Sequence, residues 1–235
     1  MRHGNEAFVV DSPVFPDELE VLPTLASQAS FNVVGRLATH ADWDHLLAGY
    51  AFPEVPLGLA ESSEDRLMST TGVGGAQRAL RAFDDEMYVV RPGPLSLASP
   101  QPLPVPGKCG IGELELELHP ATGHTADGMA IVVPWARVLL PGDYLSPVEI
   151  PMLSPGGSLD GYLSTLERLE PLVADADWVV PGHGGPIDGQ RALALLREDR
   201  AYLEALRSKG ADAPLPLARR TDAQRKIHAE NVTRR

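Results

Sequence analysis

A single cysteine, Cys109, is all the thiol chemistry available to this chain of 235 residues. No internal disulfide can form, and no thiolate cluster can hold a metal. The residue lies in Pro106-Gly107-Lys108-Cys109-Gly110, which reads as an ordinary turn. Basic residues are also few: 20 Lys and Arg against 32 Asp and Glu leave a net charge of −12. Phosphate contacts need clustered cations, so nucleic acid is not an expected partner. No stretch approaches the ~20 apolar residues of a membrane span, so no membrane partner is expected either. Residues 1–6 (MRHGNE) lack the apolar core of a signal peptide, and the expected location is cytoplasmic. Gly72-Val73-Gly74-Gly75 lacks the Gly-Lys-Ser/Thr ending of a phosphate loop and reads as a flexible helix entry. Neither a Pro/Gly/Ser linker nor a repeat divides the chain.

What the chain does have is a dense set of hard ligands. His40-Ala41-Asp42-Trp43-Asp44-His45 places four imidazole or carboxylate groups in six residues. Buried without a cation, such a segment would leave charges unpaired at a cost of several kcal/mol. Its flanks are apolar: 31–39 (FNVVGRLAT) reads as a buried strand, and Leu46-Leu47-Ala48 as part of a helix that starts near Asp44. Asp44 alone would also suit the N-cap of that helix.

Three further ligands recur after strand-like runs and a glycine turn. His124 follows Gly123, Asp143 follows Gly142, and His183 follows Gly182. Together with His40, Asp42, Asp44 and His45 they make seven, more than the four of one tetrahedral ion. Seven ligands suit two metals that share a carboxylate. His119 precedes His124 on its strand and reads as a packed or surface histidine rather than an eighth ligand.

The pattern Thr39 to His45, Gly123-His124-Thr125, Gly142-Asp143 and Gly182-His183 resembles that of the metallo-β-lactamase-fold hydrolase superfamily. The resemblance covers roughly residues 7–208. It implies an α/β fold, a four-layer αββα sandwich in two structural halves. It also implies that His40, Asp42 and His124 bind one metal, that Asp44, His45 and His183 bind a second, and that Asp143 bridges them. The family's second motif histidine is Asp42 here. The flavodiiron branch likewise has a carboxylate at this position. The oxygen ligand favours iron or manganese there, whereas zinc is expected overall. Asp42 acting one layer out, on another ligand, is the alternative.

The activity implied is hydrolysis of a thioester, lactone, ester or amide in a small-molecule substrate by a metal-bound hydroxide. Asp44 would orient the hydroxide, Tyr144 could offer its hydroxyl to the reacting carbonyl, and 53–107 would supply much of the pocket rim. A flavodiiron protein would need an appended flavin domain. An iron-dependent sulfur dioxygenase is the runner-up, because His40, His124 and Asp143 form a two-histidine, one-carboxylate set. A non-catalytic metal-binding domain is the third reading.

Along the chain, strands are expected at 7–11, 56–60, 113–119, 129–133, 137–140 and 178–180. Helices are expected at 16–29, with Pro23 marking a break, and at 64–68, 76–83, 159–170 and 189–207. The proline-rich 92–106 reads as irregular. Residues 1–210 form the expected hydrolase domain. From Ala211 onward six basic residues face three acidic ones, so this tail carries +3 and the remainder −15. Such a tail is expected to pack on the domain or on a neighbouring subunit, which leaves a homo-oligomer open, with His228 a candidate near the pocket.

Overall fold

The computed structural model alternates strands and helices, the α/β pattern expected. In chain order the elements are β1 (Arg2–His3), β2 (Glu6–Val10), α1 (Pro16–Gln28), β3 (Asn32–Leu37), α2 (Ala48–Ala51), β4 (Leu57–Ala60), α3 (Glu61–Met68) and α4 (Gly72–Met87). They continue with β5 (Pro100–Leu103), β6 (Gly107–Ile111), β7 (Leu114–Pro120), β8 (Met129–Val133), β9 (Val138–Leu140), α5 (Leu159–Asp175), β10 (Trp178–Val179), β11 (Ile187–Asp188), α6 (Gly189–Lys209) and α7 (Asp222–Arg234). The structure describes residues 1–69, 72–95, 97 and 100–235. The chain divides into two compact units, Met1–Leu116 and Glu117–Arg235.

The first unit is built on a sheet ordered β1-β2-β3-β4-β5. The β1–β2 pair is antiparallel, and β2 to β5 run parallel to one another. Leu19, Leu46, Leu47, Leu57, Leu59, Leu67 and Leu80 form its core. Pro23 does not break α1. It lies on the exposed face of the helix, where its ring meets solvent rather than the core. The helix expected from Asp44 is instead one 3-10 turn, Trp43–His45, followed by the four-residue α2. Pro53 ends that helix, because the residue before a proline is pushed out of helical geometry. Within 92–106, expected to be irregular, Pro100–Leu103 forms β5, while residues 96, 98 and 99 lie outside the described residues. Two prolines are tolerated there because β5 is an edge strand of this sheet. Cys109 lies in β6 rather than in a turn. The turn falls later, at Gly112 with φ +56°, and Lys108 pairs with Glu115 at 2.7 Å beyond it. Partial burial pushes the Cys109 thiol up.

The second sheet is ordered β11-β10-β9-β8-β7-β6. The β7–β8 and β8–β9 pairs are antiparallel, β9–β10 is parallel and β10–β11 antiparallel. Side chains cap the long helices: Ser158 accepts the Gly161 N–H and Asp188 the Arg191 N–H. Leu166, Leu169, Val173, Leu196, Leu203 and Leu206 pack α5 and α6 into one core.

The basic tail is part of this second unit. Thr221 caps α7 by accepting the Gln224 N–H. Gln224 Oε1 accepts the Ile150 N–H at 2.7 Å, and Asn231 Oδ1 accepts the Leu153 N–H at 2.8 Å. Arg219, with no exposed side-chain surface, lies 2.7 Å from Asp199 and 3.2 Å from Glu198, and donates to the Ser146 and Glu149 carbonyls. Positive charge in the tail thus meets acidic charge on α6. His228, the candidate for a place near the pocket, joins α7 to α6. Its Nδ1 is 3.0 Å from the Tyr202 hydroxyl and its Nε2 is 3.1 Å from the Ala211 carbonyl.

Above pH 7, where Asp199 is ionised, Arg219→Met should lower stability by about 3–5 kcal/mol, because it strands the buried carboxylate; urea unfolding measures this. Asp199 supplies a second expectation. Burial pushes its carboxyl from an ordinary 3.8 up to about 7, against the pull of Arg219. Between those values the folded protein holds a proton that the unfolded chain has lost. Stability from this group is therefore full below pH 3.8 and is lost as pH rises towards 7. Asp199→Asn should flatten that part of the stability–pH curve, read by unfolding at a series of pH values; an unchanged slope would contradict it.

Candidate metal centre

In the first unit the ligand segment leaves the sheet where two parallel strands end together. Val10 of β2 pairs with Leu37 of β3. The Asp11 N–H then donates to the Leu37 carbonyl at 2.8 Å, with Asp11 itself at φ +54°. This left-handed residue turns its carboxylate back across the neighbouring strand end. Its Oδ1 accepts the Thr39 N–H at 2.8 Å and its Oδ2 accepts the Thr39 hydroxyl at 3.0 Å.

The same carboxylate sets two histidine rings. Asp11 Oδ2 is 3.0 Å from His45 Nδ1. Thr39 Oγ1, its proton already given to Asp11, is 3.1 Å from His40 Nδ1 and accepts from it. Both imidazoles therefore carry their proton on Nδ1 and their lone pair on Nε2. The rings are buried and tilted against each other, with centroids 4.1 Å apart. Asp42 Oδ2 lies 3.6 Å from His40 Nε2, and Asp44 Oδ2 lies 3.7 Å from His45 Nε2. The other oxygen of Asp42, Oδ1, accepts a hydrogen bond from Arg66 Nη2.

In the second unit the logic repeats. Parallel β9 and β10 pair Leu139 with Val179, and beyond their ends the Gly182 N–H donates to the Gly142 carbonyl at 2.8 Å. Asp143 and His183 thus emerge side by side, with His183 Nε2 3.3 Å from Asp143 Oδ2. His124 comes from the end of β7, and its Nε2 lies 3.2 Å from the same oxygen. Its Nδ1 donates to the Met152 carbonyl at 2.8 Å, so here too the lone pair is on Nε2. Gly123 is required: at φ +124° a Cβ would lie 2.0 Å from the Tyr162 backbone nitrogen.

Tyr144, the expected hydroxyl donor, directly follows Asp143. It is buried, and its hydroxyl accepts the His124 N–H at 3.1 Å. Burial pushes that hydroxyl well above the ordinary tyrosine range. Its ring packs on Tyr162, whose hydroxyl donates to the Asp143 carbonyl at 3.0 Å. Both tyrosines hold ligand backbone. His119 lies 3.7 Å from Glu117 on the same strand. The expected rim, 53–107, contains the residues outside the description.

The donor set fits divalent metal. Each of the seven residues belongs to a group of His and Asp side chains able to hold an ion. Two ligands about 2.1 Å from a tetrahedral ion lie about 3.4 Å apart. The four His–Asp separations, 3.2 to 3.7 Å, match the edges of such a shell. Asp11 and Arg66 were not legible as site residues. Asp11 had one usable signal, an acid directly after an apolar strand, the place where the other ligands recur. Arg66 had none.

An α/β chain carrying this His/Asp set is a candidate metalloenzyme. It belongs to the metallo-β-lactamase superfamily, whose family model matches residues 1–183. Among curated proteins none matches the sequence. Solved structures share the fold. A metallo-β-lactamase family protein from Thermus thermophilus, TTHA1429, is 22% identical, with all of this chain and 85% of that one covered and a TM-score of 0.69. A metallo-β-lactamase from Pontibacter korlensis is 20% identical over 82% of this chain and 83% of its own, with a TM-score of 0.55. TTHA1623, in a di-iron-bound form, is 24% identical over 74% of this chain and 82% of its own, with a TM-score of 0.56. The fold is therefore the expected α/β metallo-β-lactamase type, and family and donor set support a metal-dependent hydrolase.

Asp11→Ala should lower metal affinity about 10–100-fold, because both first-unit histidines lose the group that fixes their tautomer. Competition against a chromophoric chelator measures this; unchanged affinity would leave Asp11 as a strand-end bond only.

Proposed function

We propose that the chain is a dinuclear hydrolase of small thioesters, lactones, esters or amides. His40, Asp42 and His124 hold one ion; Asp44, His45 and His183 hold the other; Asp143 serves both. The observation that carries this reading is the fixing of His40, His45 and His124 through Nδ1, in a member of a family of mostly metal-dependent hydrolases. Zinc is the metal assigned first. Iron or manganese is assigned as the alternative beside Asp42, in keeping with its oxygen donor and with the di-iron form described for TTHA1623.

When bound, the ions would bring a water's pKa towards about 7 and polarise the substrate carbonyl. The residues of the chain do the rest. Asp44, which would hold its ion through one oxygen, would also accept a hydrogen bond from the attacking water and aim it. Tyr144 and Tyr162 hold the backbone of His124 and Asp143, so the ligands need little reorganisation during turnover. Substrate and product are small molecules. No helix among the described residues is long and apolar enough to cross a membrane.

Elemental analysis of protein grown with ample metal should give two ions per chain. Chelation should abolish hydrolysis of a responsive thioester or lactone, and zinc should restore it without flavin, nicotinamide or oxygen. Activity should fall on the acid side, because protons compete with metal for the ligands. One ion at saturation would overturn the dinuclear reading. Oxygen consumption with a persulfide, and its loss under anaerobic conditions, would replace the hydrolase with the sulfur dioxygenase.

A further inference from the structure

Asp42 stands where the superfamily pattern has a histidine, and the exchange has two consequences. A carboxylate adds a negative charge that neutral imidazole lacks. It also offers two donor oxygens instead of one nitrogen, so it can swing or bind an ion through both.

Arg66 answers both. It lies in the last turn of α3, which begins directly after β4, the parallel neighbour of β3. The sheet edge that releases the ligand segment therefore also releases α3. Arg66 Nη2 binds Asp42 Oδ1, while Asp42 Oδ2 lies 3.6 Å from His40 Nε2. One oxygen is held by the guanidinium and the other faces the ligand histidine. The pair is partly shielded, with side-chain exposures of 34% and 21%.

The backbone beneath Arg66 is fixed. The Ser69 hydroxyl donates to the Arg66 carbonyl at 2.7 Å. At Gly72 the first turn of α4 approaches so closely that a Cβ would lie 2.1 Å from that same carbonyl. The arginine is thus placed by two packed elements.

We propose that Arg66 is a positioning residue for the first metal. It clamps Asp42 as a one-oxygen ligand and cancels the charge that the acid adds, so the Asp42–Arg66 pair replaces one neutral imidazole. This rests on the metal-centre reading given above, and it concerns metal binding rather than contact with substrate.

The test is a double-mutant cycle on the full chain, with cobalt(II) or zinc alone as probe. Wild type, Arg66→Met, Asp42→His and Asp42→His with Arg66→Met are compared by chelator competition and by cobalt absorption. In wild type, Arg66→Met should weaken the first-site ion about tenfold or more, in line with loss of a ligand's supporting partner. The cobalt band should weaken too, as the released carboxylate adds its second oxygen. In the Asp42→His background the same substitution should not weaken binding, because the carboxylate that Arg66 clamps is gone. Arg66→Lys should retain more affinity than Arg66→Met, and it carries the same comparison should the methionine variant not fold. An equal effect of Arg66→Met in the two backgrounds, or no weakening in wild type, overturns the proposal. Wild type that binds no cobalt at all removes the metal-centre reading itself, whereas bound cobalt without coupling removes only the role of Arg66.

Discussion

Asp143 and His183 lie 3.3 Å apart because β9 and β10 are parallel neighbours that end together. The same constraint puts Asp11 beside Thr39 at the ends of β2 and β3. Parallel pairing releases successive chain segments at one edge of a sheet, so residues far apart in sequence arrive together without long side chains having to reach. Glycine at φ +64° in Gly142 and φ +124° in Gly123 lets the chain turn there at once. In each unit, ligand placement is a property of strand direction first and of side chains second.

Polar ligands at strand ends must then be held in a single state. Three histidines have Nδ1 engaged, by Asp11, by Thr39 in series with Asp11, and by the Met152 carbonyl. One carboxylate at Asp11 therefore governs two rings, which concentrates much of the first unit's preorganisation in a residue that is not itself among the seven ligands. The tyrosines act similarly on the second unit's backbone. Buried hydroxyls that remain protonated are suited to this structural work and unsuited to proton transfer near neutrality. Charge elsewhere follows a related economy: Arg219 neutralises Asp199 and Glu198 inside the second unit, where the excess of cations in the tail is used.

Periodicity made most elements legible. The helices α1, α5 and α6 and the strand β8 fall within a few residues of expectation, because each carries a long apolar stripe or an uninterrupted apolar run. Misreadings fell where local composition competes with pairing. Pro100 and Pro102 argue against a strand, yet an edge position tolerates them. Gly107 and Gly110 suggest a turn, yet the following hairpin keeps the chain around Cys109 extended. A helix near Asp44 was expected from Leu46-Leu47-Ala48, but those residues pack into the core from a 3-10 turn and a very short helix.

The sequence by itself determined the seven candidate ligands, their order and their glycine turns, because donor chemistry and spacing are written in residue types. It also determined the family, because the four motifs occur together in one order. Only tertiary structure decided which nitrogen of His40, His45 and His124 faces inward, since that depends on Asp11, acting directly or through Thr39, and on the Met152 carbonyl, which arrive from other strands and loops. Tertiary structure likewise decided that Tyr144 supports backbone, and that Arg66 meets Asp42 across 24 positions of sequence. No local pattern records such meetings, because they are set by which strand ends lie side by side.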